Sequence, residues 1–242
     1  MYFVRMFLIL MWVGVACIIC LFMCLFRWGD LNLDRDVGRL LSWGILKVTR
    51  IRVECEGREH LTSSQPCVYA VNHQSALDVA TFGALVPGQT IIIGKKELKW
   101  VPFFGLVFVA SGNVTIDRGN RRQAFAGLSR VVKAIQAKRA SVIIFPEGTR
   151  NRKMEGLLPF KKGAFYMAVE AQIPVVPVIC SSLAPILGTG TGKRTLRPAV
   201  VKYRVLPPIP TQGLTIRDVE KLMQDTREKM VEALHGLETR LI

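Results

Sequence analysis

The chain has 242 residues, half of them hydrophobic, with 33 Lys and Arg against 18 Asp and Glu and a formal charge of +15. That length carries one core with appendages more readily than two domains. A chain both apolar and basic points to a partner that is apolar and anionic, a phospholipid surface, while the absence of zinc-finger spacing, RNA-recognition signatures and heptads removes the usual grounds for expecting nucleic acid. The six cysteines imply no disulfide framework. Cys17, Cys20 and Cys24 sit in an apolar run, Cys55, Cys67 and Cys180 are scattered, and a reduced, cytosol-facing domain is the simplest reading.

Residues 6–26 form an unbroken apolar run between Arg5 and Arg27. As a helix it is about 31 Å long, enough to match a hydrocarbon core of about 30 Å. It is long for a signal peptide and lacks a small-x-small cleavage site, so a retained anchor is expected. The basic residues after it (Arg27, Arg35, Arg39, Lys47, Arg50, Arg52) outnumber Arg5, which puts the rest of the chain on the cytoplasmic side. Residues 31–48 place Leu33, Val37, Leu40, Leu41, Ile45 and Val48 at helical spacing, an amphipathic helix lying either at a membrane interface or on the core.

From Ile51 the texture changes to short apolar runs alternating with helical stretches. Strands are predicted at 52–55, 67–71, 90–93, 107–110, 142–145, 175–180 and 200–206, and helices at 75–85, 121–138, 163–170 and 216–240. The last helix has a capping box, Thr215 with Asp218, and a hydrophobic staple, Leu214 with Val219. The expectation is an α/β fold with a mixed, largely parallel central sheet flanked by helices. An N-terminal membrane-associated helical pair, residues 1–50, would precede an α/β domain, residues 51–242.

The second of these strands, 67–71, runs into Asn72-His73-Gln74-Ser75-Ala76-Leu77-Asp78, which carries one of three histidines. On a continuous helix His73 and Asp78 would point about 140° apart. If Ser75 is instead the N-cap, Asp78 becomes a capping-box carboxylate at the third helical position and the His73 ring folds back onto it. Such a pair is a general base with its tautomer fixed. The competing reading is a capped helix beside an ordinary loop histidine.

Other stretches offer anion-binding groups. Gly112 to Arg118 follows a strand-like run and precedes a basic helix, so Arg118 either forks onto a phosphate or pairs with a neighbouring carboxylate such as Asp117. Phe145-Pro146-Glu147-Gly148-Thr149-Arg150 brings a turn glycine, a hydroxyl and a guanidinium to a strand end, where Glu147 either accepts from a ligand hydroxyl or neutralises Arg150. Lys95 and Lys96 are weaker candidates of the same kind. Phe103, Phe104 and Phe108 line a channel for an apolar chain or belong to the core. Gly188 to Lys193 lacks the phosphate-loop spacing, no Gly-x-Ser-x-Gly elbow occurs, and His73 and His235 have no partner cysteines for zinc.

Four blocks then stand in a recognisable order: Asn72 to Asp78, Gly112 to Arg118, Phe145 to Arg152, and Ile173-Pro174-Val175-Val176-Pro177-Val178. With Gly94-Lys95-Lys96, Trp100 to Gly105 and Leu158 to Gly163, the chain resembles the glycerolipid acyltransferases along nearly its whole length. Among them it is similar to the bacterial 1-acyl-sn-glycerol-3-phosphate acyltransferases. Thr115 and Asn151 depart from the pattern without touching a charge. The resemblance implies transfer of an acyl group from acyl-CoA or acyl-carrier protein to the sn-2 hydroxyl of lysophosphatidic acid, with no cofactor. His73 would be the base and Asp78 its orienting partner; Lys96, Arg118, Glu147, Gly148, Thr149 and Arg150 would bind substrate. It also implies anchoring by the N-terminal helices to one face of the bilayer, at the cytoplasmic side of the inner membrane. Two alternatives remain: another acceptor, such as glycerol 3-phosphate or another lyso-lipid, or a non-enzymatic module that binds anionic lipid.

Overall fold

The computed structural model describes residues 2–117, 119, 121–188 and 195–242, with the backbone alone for residues 121–125. In chain order the elements are α1 (Tyr2–Phe26), α2 (Leu33–Thr49), β1 (Ile51–Glu56), α3 (His60–Ser63), β2 (Val68–Val71), α4 (Asp78–Thr81) and β3 (Thr90–Lys95). A 3-10 turn (Lys96–Trp100) leads to α5 (Phe104–Ala110), β4 (Val114–Ile116), α6 (Arg121–Lys138), β5 (Ser141–Ile144), α7 (Gly163–Ala171) and β6 (Val175–Cys180). Then come α8 (Ala184–Leu187), β7 (Ala199–Val205), a 3-10 turn (Ile216–Asp218), α9 (Val219–Leu234) and β8 (Arg240–Leu241).

The strands form one sheet in the order β1-β7-β6-β2-β5-β3-β4, with β8 pairing β7. Pairing is parallel except at β6–β7 and β7–β8, so the expected mixed, largely parallel sheet is present. Period-two alternation divides its side chains between two cores. Val68 and Ala70 face α6, α7 and α9, while Tyr69 and Val71 face Leu61, Phe82, Leu183 and Ile186 on the other side.

Three expectations are corrected. The run at residues 107–110 is helical, within α5, and the strand comes after Gly112 as β4. Short apolar runs are ambiguous in period; this one, between Pro102 and Gly112, buries Val107 and Ala110 against α1 and α2. The helix expected at residues 75–85 is one turn, α4, followed by non-helical turns. The C-terminal helix ends at Leu234, and Gly236, at φ +76°, turns the chain back so that β8 can pair with β7. Its N-terminal capping box is present as expected.

A third core joins α1, α2 and α5 through Ala16, Cys20, Cys24, Leu33, Val37 and Leu41. The approach of α1 to α2 is close enough that a Cβ on Gly44 would meet the Trp12 indole at 2.2 Å. Both ends of α1 are tied to the same body. At the N-terminal end Arg5 donates to the Leu196 carbonyl and Tyr2 and Ile9 pack on the sheet core; beyond the other end the Gly29 N–H donates to the Ala110 carbonyl at 2.7 Å. Phe3, Phe7, Leu10, Ile18, Phe22 and Phe26 are left exposed.

Asn113 links this helical layer to the sheet. Its Nδ2 donates to Asp34 Oδ1 at 2.7 Å, and its Oδ1 accepts from the Ile92 N–H at 2.6 Å. Asp34 is buried, and desolvation pushes its carboxyl up to about 8 against the downward pull of Asn113 and Ser111.

Candidate active site

The chain leaves β2 into a loop in which successive side chains alternate. Asn72 and Gln74 point one way into the protein, where Asn72 exchanges two hydrogen bonds with the Cys180 backbone at 2.7 and 3.1 Å. Gln74 accepts from the Leu183 N–H at 3.0 Å and donates to the Ser181 carbonyl at 3.0 Å. These buried amides fix the loop to the end of β6 and turn His73 the other way. Sequence reasoning missed both; the available signal was an Asn-x-Gln pattern at a strand end, where buried amides need partners.

His73 Nδ1 lies 2.5 Å from Asp78 Oδ2. The same oxygen accepts the N–H groups of Gln74 at 2.8 Å and Ser75 at 3.1 Å. A carboxylate oxygen accepting from two backbone amides has no hydrogen to give, so Nδ1 carries the proton and Nε2 is left as a base. Half of the expected capping box exists: Asp78 accepts from the Ser75 N–H, but the Ser75 hydroxyl accepts from Leu77 and Asp78 is the first residue of α4 rather than the third. One face of the imidazole is covered by the Phe145 ring, with centroids 4.1 Å apart.

The turn after β5 clamps His73 by its backbone. Glu147 Oε1 accepts the His73 N–H at 2.8 Å, and the Asn151 N–H donates to the His73 carbonyl at 2.7 Å. Glu147 Oε2 accepts from the Leu158 N–H at 3.0 Å. Burial raises the Glu147 carboxyl above its ordinary value, partly offset by those two backbone donors. Among the described residues Glu147 makes no ion pair with Arg150. It is buried, both oxygens are committed to backbone, and it positions the histidine. Asn151, also buried, donates to the Glu155 and Gly156 carbonyls, a role not expected for a residue noted only as a departure from the family pattern.

Gly148 adopts φ +68°, and a Cβ there would come within 2.8 Å of the Lys161 stem, which lies across the turn. Thr149 and Arg150 are exposed beside it, and Arg150 has no ion pair among the described residues. Lys96 is paired with Asp117 at 2.7 Å, which raises its ammonium pKa, so it reaches a ligand phosphate only by sharing that carboxylate. Arg118 lies outside the described residues. On the α6–α7–α9 side of the sheet a cavity of about 550 Å³ approaches the same turn, lined by Ile93, Ile116, Leu128, Phe145, Gly148 and Lys161. The Phe103, Phe104 and Phe108 side chains do not line it: Phe108 packs over Gly94, Phe104 joins the helical core and Phe103 is exposed.

A histidine–carboxylate base beside a basic turn in a mixed α/β sheet fits group transfer to a substrate hydroxyl. The class is given by the acyltransferase family model, which matches residues 52–181. The human 1-acyl-sn-glycerol-3-phosphate acyltransferase alpha is 34% identical over 98% of this chain and 83% of its own length. The Haemophilus influenzae enzyme named 1-acyl-sn-glycerol-3-phosphate acyltransferase is 33% identical over 95% of both chains. That of Escherichia coli is 35% identical over 78% of this chain and 75% of its own. The crystal structure of the 1-acyl-sn-glycerophosphate acyltransferase of Thermotoga maritima shares the fold, with a TM-score of 0.74 at 22% identity over 96% of this chain and 95% of that one. The chain belongs to the 1-acyl-sn-glycerol-3-phosphate acyltransferase family.

Proposed function

We propose that the protein acylates the sn-2 hydroxyl of lysophosphatidic acid to give phosphatidic acid, taking the acyl group from acyl-CoA or acyl-carrier protein. One observation carries the chemistry: His73 Nδ1 is held by Asp78, leaving Nε2 to accept a proton. His73 Nε2 takes the hydroxyl proton as the sn-2 oxygen attacks the thioester carbonyl. A C–O bond forms, the tetrahedral intermediate collapses, the C–S bond breaks, and the imidazolium returns the proton to the departing thiolate. Asp78 stabilises the imidazolium between these two transfers. The nucleophile is the substrate's own oxygen, so this sequence of steps calls for no cofactor.

Arg150, with Arg118 and Lys96, would hold the acceptor phosphate, and Gly148 and Thr149 would shape the same pocket. The names of the relatives support lysophosphatidic acid as acceptor over glycerol 3-phosphate or another lyso-lipid. The membrane reading rests on α1, a 25-residue apolar helix whose outer face is exposed. Because both ends of α1 dock on one body, it would lie in a single leaflet rather than cross to the other side. The basic residues that follow it favour the cytoplasmic face of the inner membrane. The purified protein, given oleoyl-CoA or palmitoyl-CoA and a panel of acceptors, should release free thiol and form phosphatidate with lysophosphatidate. Turnover with glycerol 3-phosphate alone, or none with any acceptor, would overturn the assignment.

A further inference from the structure

Placing α1 in a leaflet leaves a second apolar surface without an explanation. After Lys99 the chain leaves Trp100 84%, Phe103 61% and Leu106 53% exposed, with Val101 and Val109 also open. Leu106 and Val109, three residues apart, share one face of α5, and Phe103 is exposed at its N-terminal cap. Its other side, Gly105, Val107, Phe108 and Ala110, is buried. Phe103 adopts φ +61°, a region that bulky side chains rarely occupy, so the backbone holds an aromatic ring outward at some cost.

Two observations indicate what covers this surface. Val107 and Ala110 share the core of α1 and α2, so the surface belongs to the same rigid layer as the exposed face of α1. The sequence also changes in the order of depth in a leaflet, with Lys95, Lys96, Glu97 and Lys99 first, basic on balance, then Trp100, then Phe103 and Leu106. Cations meet anionic headgroups, tryptophan favours the interface, and aliphatic and phenyl groups favour the acyl region.

We propose that residues 99–109 are a second membrane-inserting element, and that its occupant is the acyl region of the phospholipid leaflet that receives α1. This rests on the membrane association proposed above. It holds Lys96, four residues before Trp100, at headgroup depth, so the acceptor's phosphate is met without the acceptor leaving the leaflet.

The full-length protein labelled with 5-fluorotryptophan, in nanodiscs of phosphatidylcholine and phosphatidylglycerol, tests this by fluorine NMR with the Trp100 resonance assigned through Trp100→Phe. Broadening of Trp100 by a doxyl-labelled lipid, with protection from an aqueous gadolinium chelate, is the expected result. Broadening by the chelate alone, while the resonance of Trp28 beside α1 responds to the lipid, overturns the proposal and leaves the anchor standing. If both respond only to the chelate, the membrane reading itself fails. Protection of Trp100 from both reagents, with a doubled mass, assigns the face to a second copy and also overturns the proposal. In parallel, the combined Trp100→Ser, Phe103→Ser and Leu106→Ser variant should still pellet with vesicles through α1. Its turnover should fall at least tenfold on vesicle-borne lysophosphatidate and stay within twofold in detergent; equal loss in both media contradicts the proposal.

Discussion

Replacing Asp78 with Asn tests whether the carboxylate serves the reaction or only the loop. Asp78 Oδ2 accepts from the N–H groups of Gln74 and Ser75 and from His73 Nδ1, at 2.8, 3.1 and 2.5 Å. An amide oxygen in that position keeps all three donors paired, and the amide nitrogen takes the place of Oδ1, which is buried without a hydrogen-bond partner among the described residues, so some stability is lost while the loop and the imidazole keep their orientation. What disappears is the negative charge facing the imidazolium formed as the hydroxyl proton arrives. Two unit charges about 4 Å apart at an effective dielectric near 20 interact by about 4 kcal/mol, so kcat should fall by about 10²–10³. The assay is thiol release from acyl-CoA with lysophosphatidate in detergent, with the thermal midpoint measured alongside. Asp78→Ala discriminates poorly because it leaves three donors unpaired, each costing about 1–3 kcal/mol, and confuses folding with catalysis. A folded Asp78→Asn protein within about threefold of wild-type turnover would refute the charge argument.

Other outcomes follow from single contacts. Arg150→Ala should raise the KM for lysophosphatidate more than that for the thioester, as measured by steady-state kinetics with each substrate varied; an unchanged acceptor KM removes Arg150 from the phosphate site. Glu147→Ala leaves the part-buried N–H groups of His73 and Leu158 without acceptors and should cost roughly 1–4 kcal/mol in denaturant unfolding, with Glu147→Gln milder. Asp34 binds its proton in the folded state up to about 8 but loses it near 3.8 when unfolded, so this group makes stability fall as pH rises through that window. Asp34→Asn should therefore gain on wild type by on the order of 2–4 kcal/mol between pH 5 and 8. Parallel urea midpoints at those two pH values would contradict the burial argument.

The sheet was readable because its inner strands are short β-branched runs bounded by turn residues, and the contact of His73 with Asp78 was readable because a strand end followed by a capped turn brings the two together. The α5 segment was not readable, since the four apolar residues 107–110 fit either period and only packing on α1 and α2 decides. Nor was the role of Glu147. Its partner is the backbone of a residue 74 positions away, and a side-chain-to-backbone bond across the sheet leaves no trace in spacing. The cavity beside Gly148 draws its walls from β3, β4, α6 and α7, so no single stretch announces it. Motif spacing thus reports local geometry, while contacts between distant strand ends need the fold.

The central claim is that His73 Nε2 accepts the hydroxyl proton of a lysophospholipid. The most direct measurement is conversion of lysophosphatidate to phosphatidate by purified wild type and His73→Ala at matched folding and equal binding to vesicles. Conversion by wild type with none above background for the variant is the predicted result. Turnover by His73→Ala within an order of magnitude of wild type would contradict it.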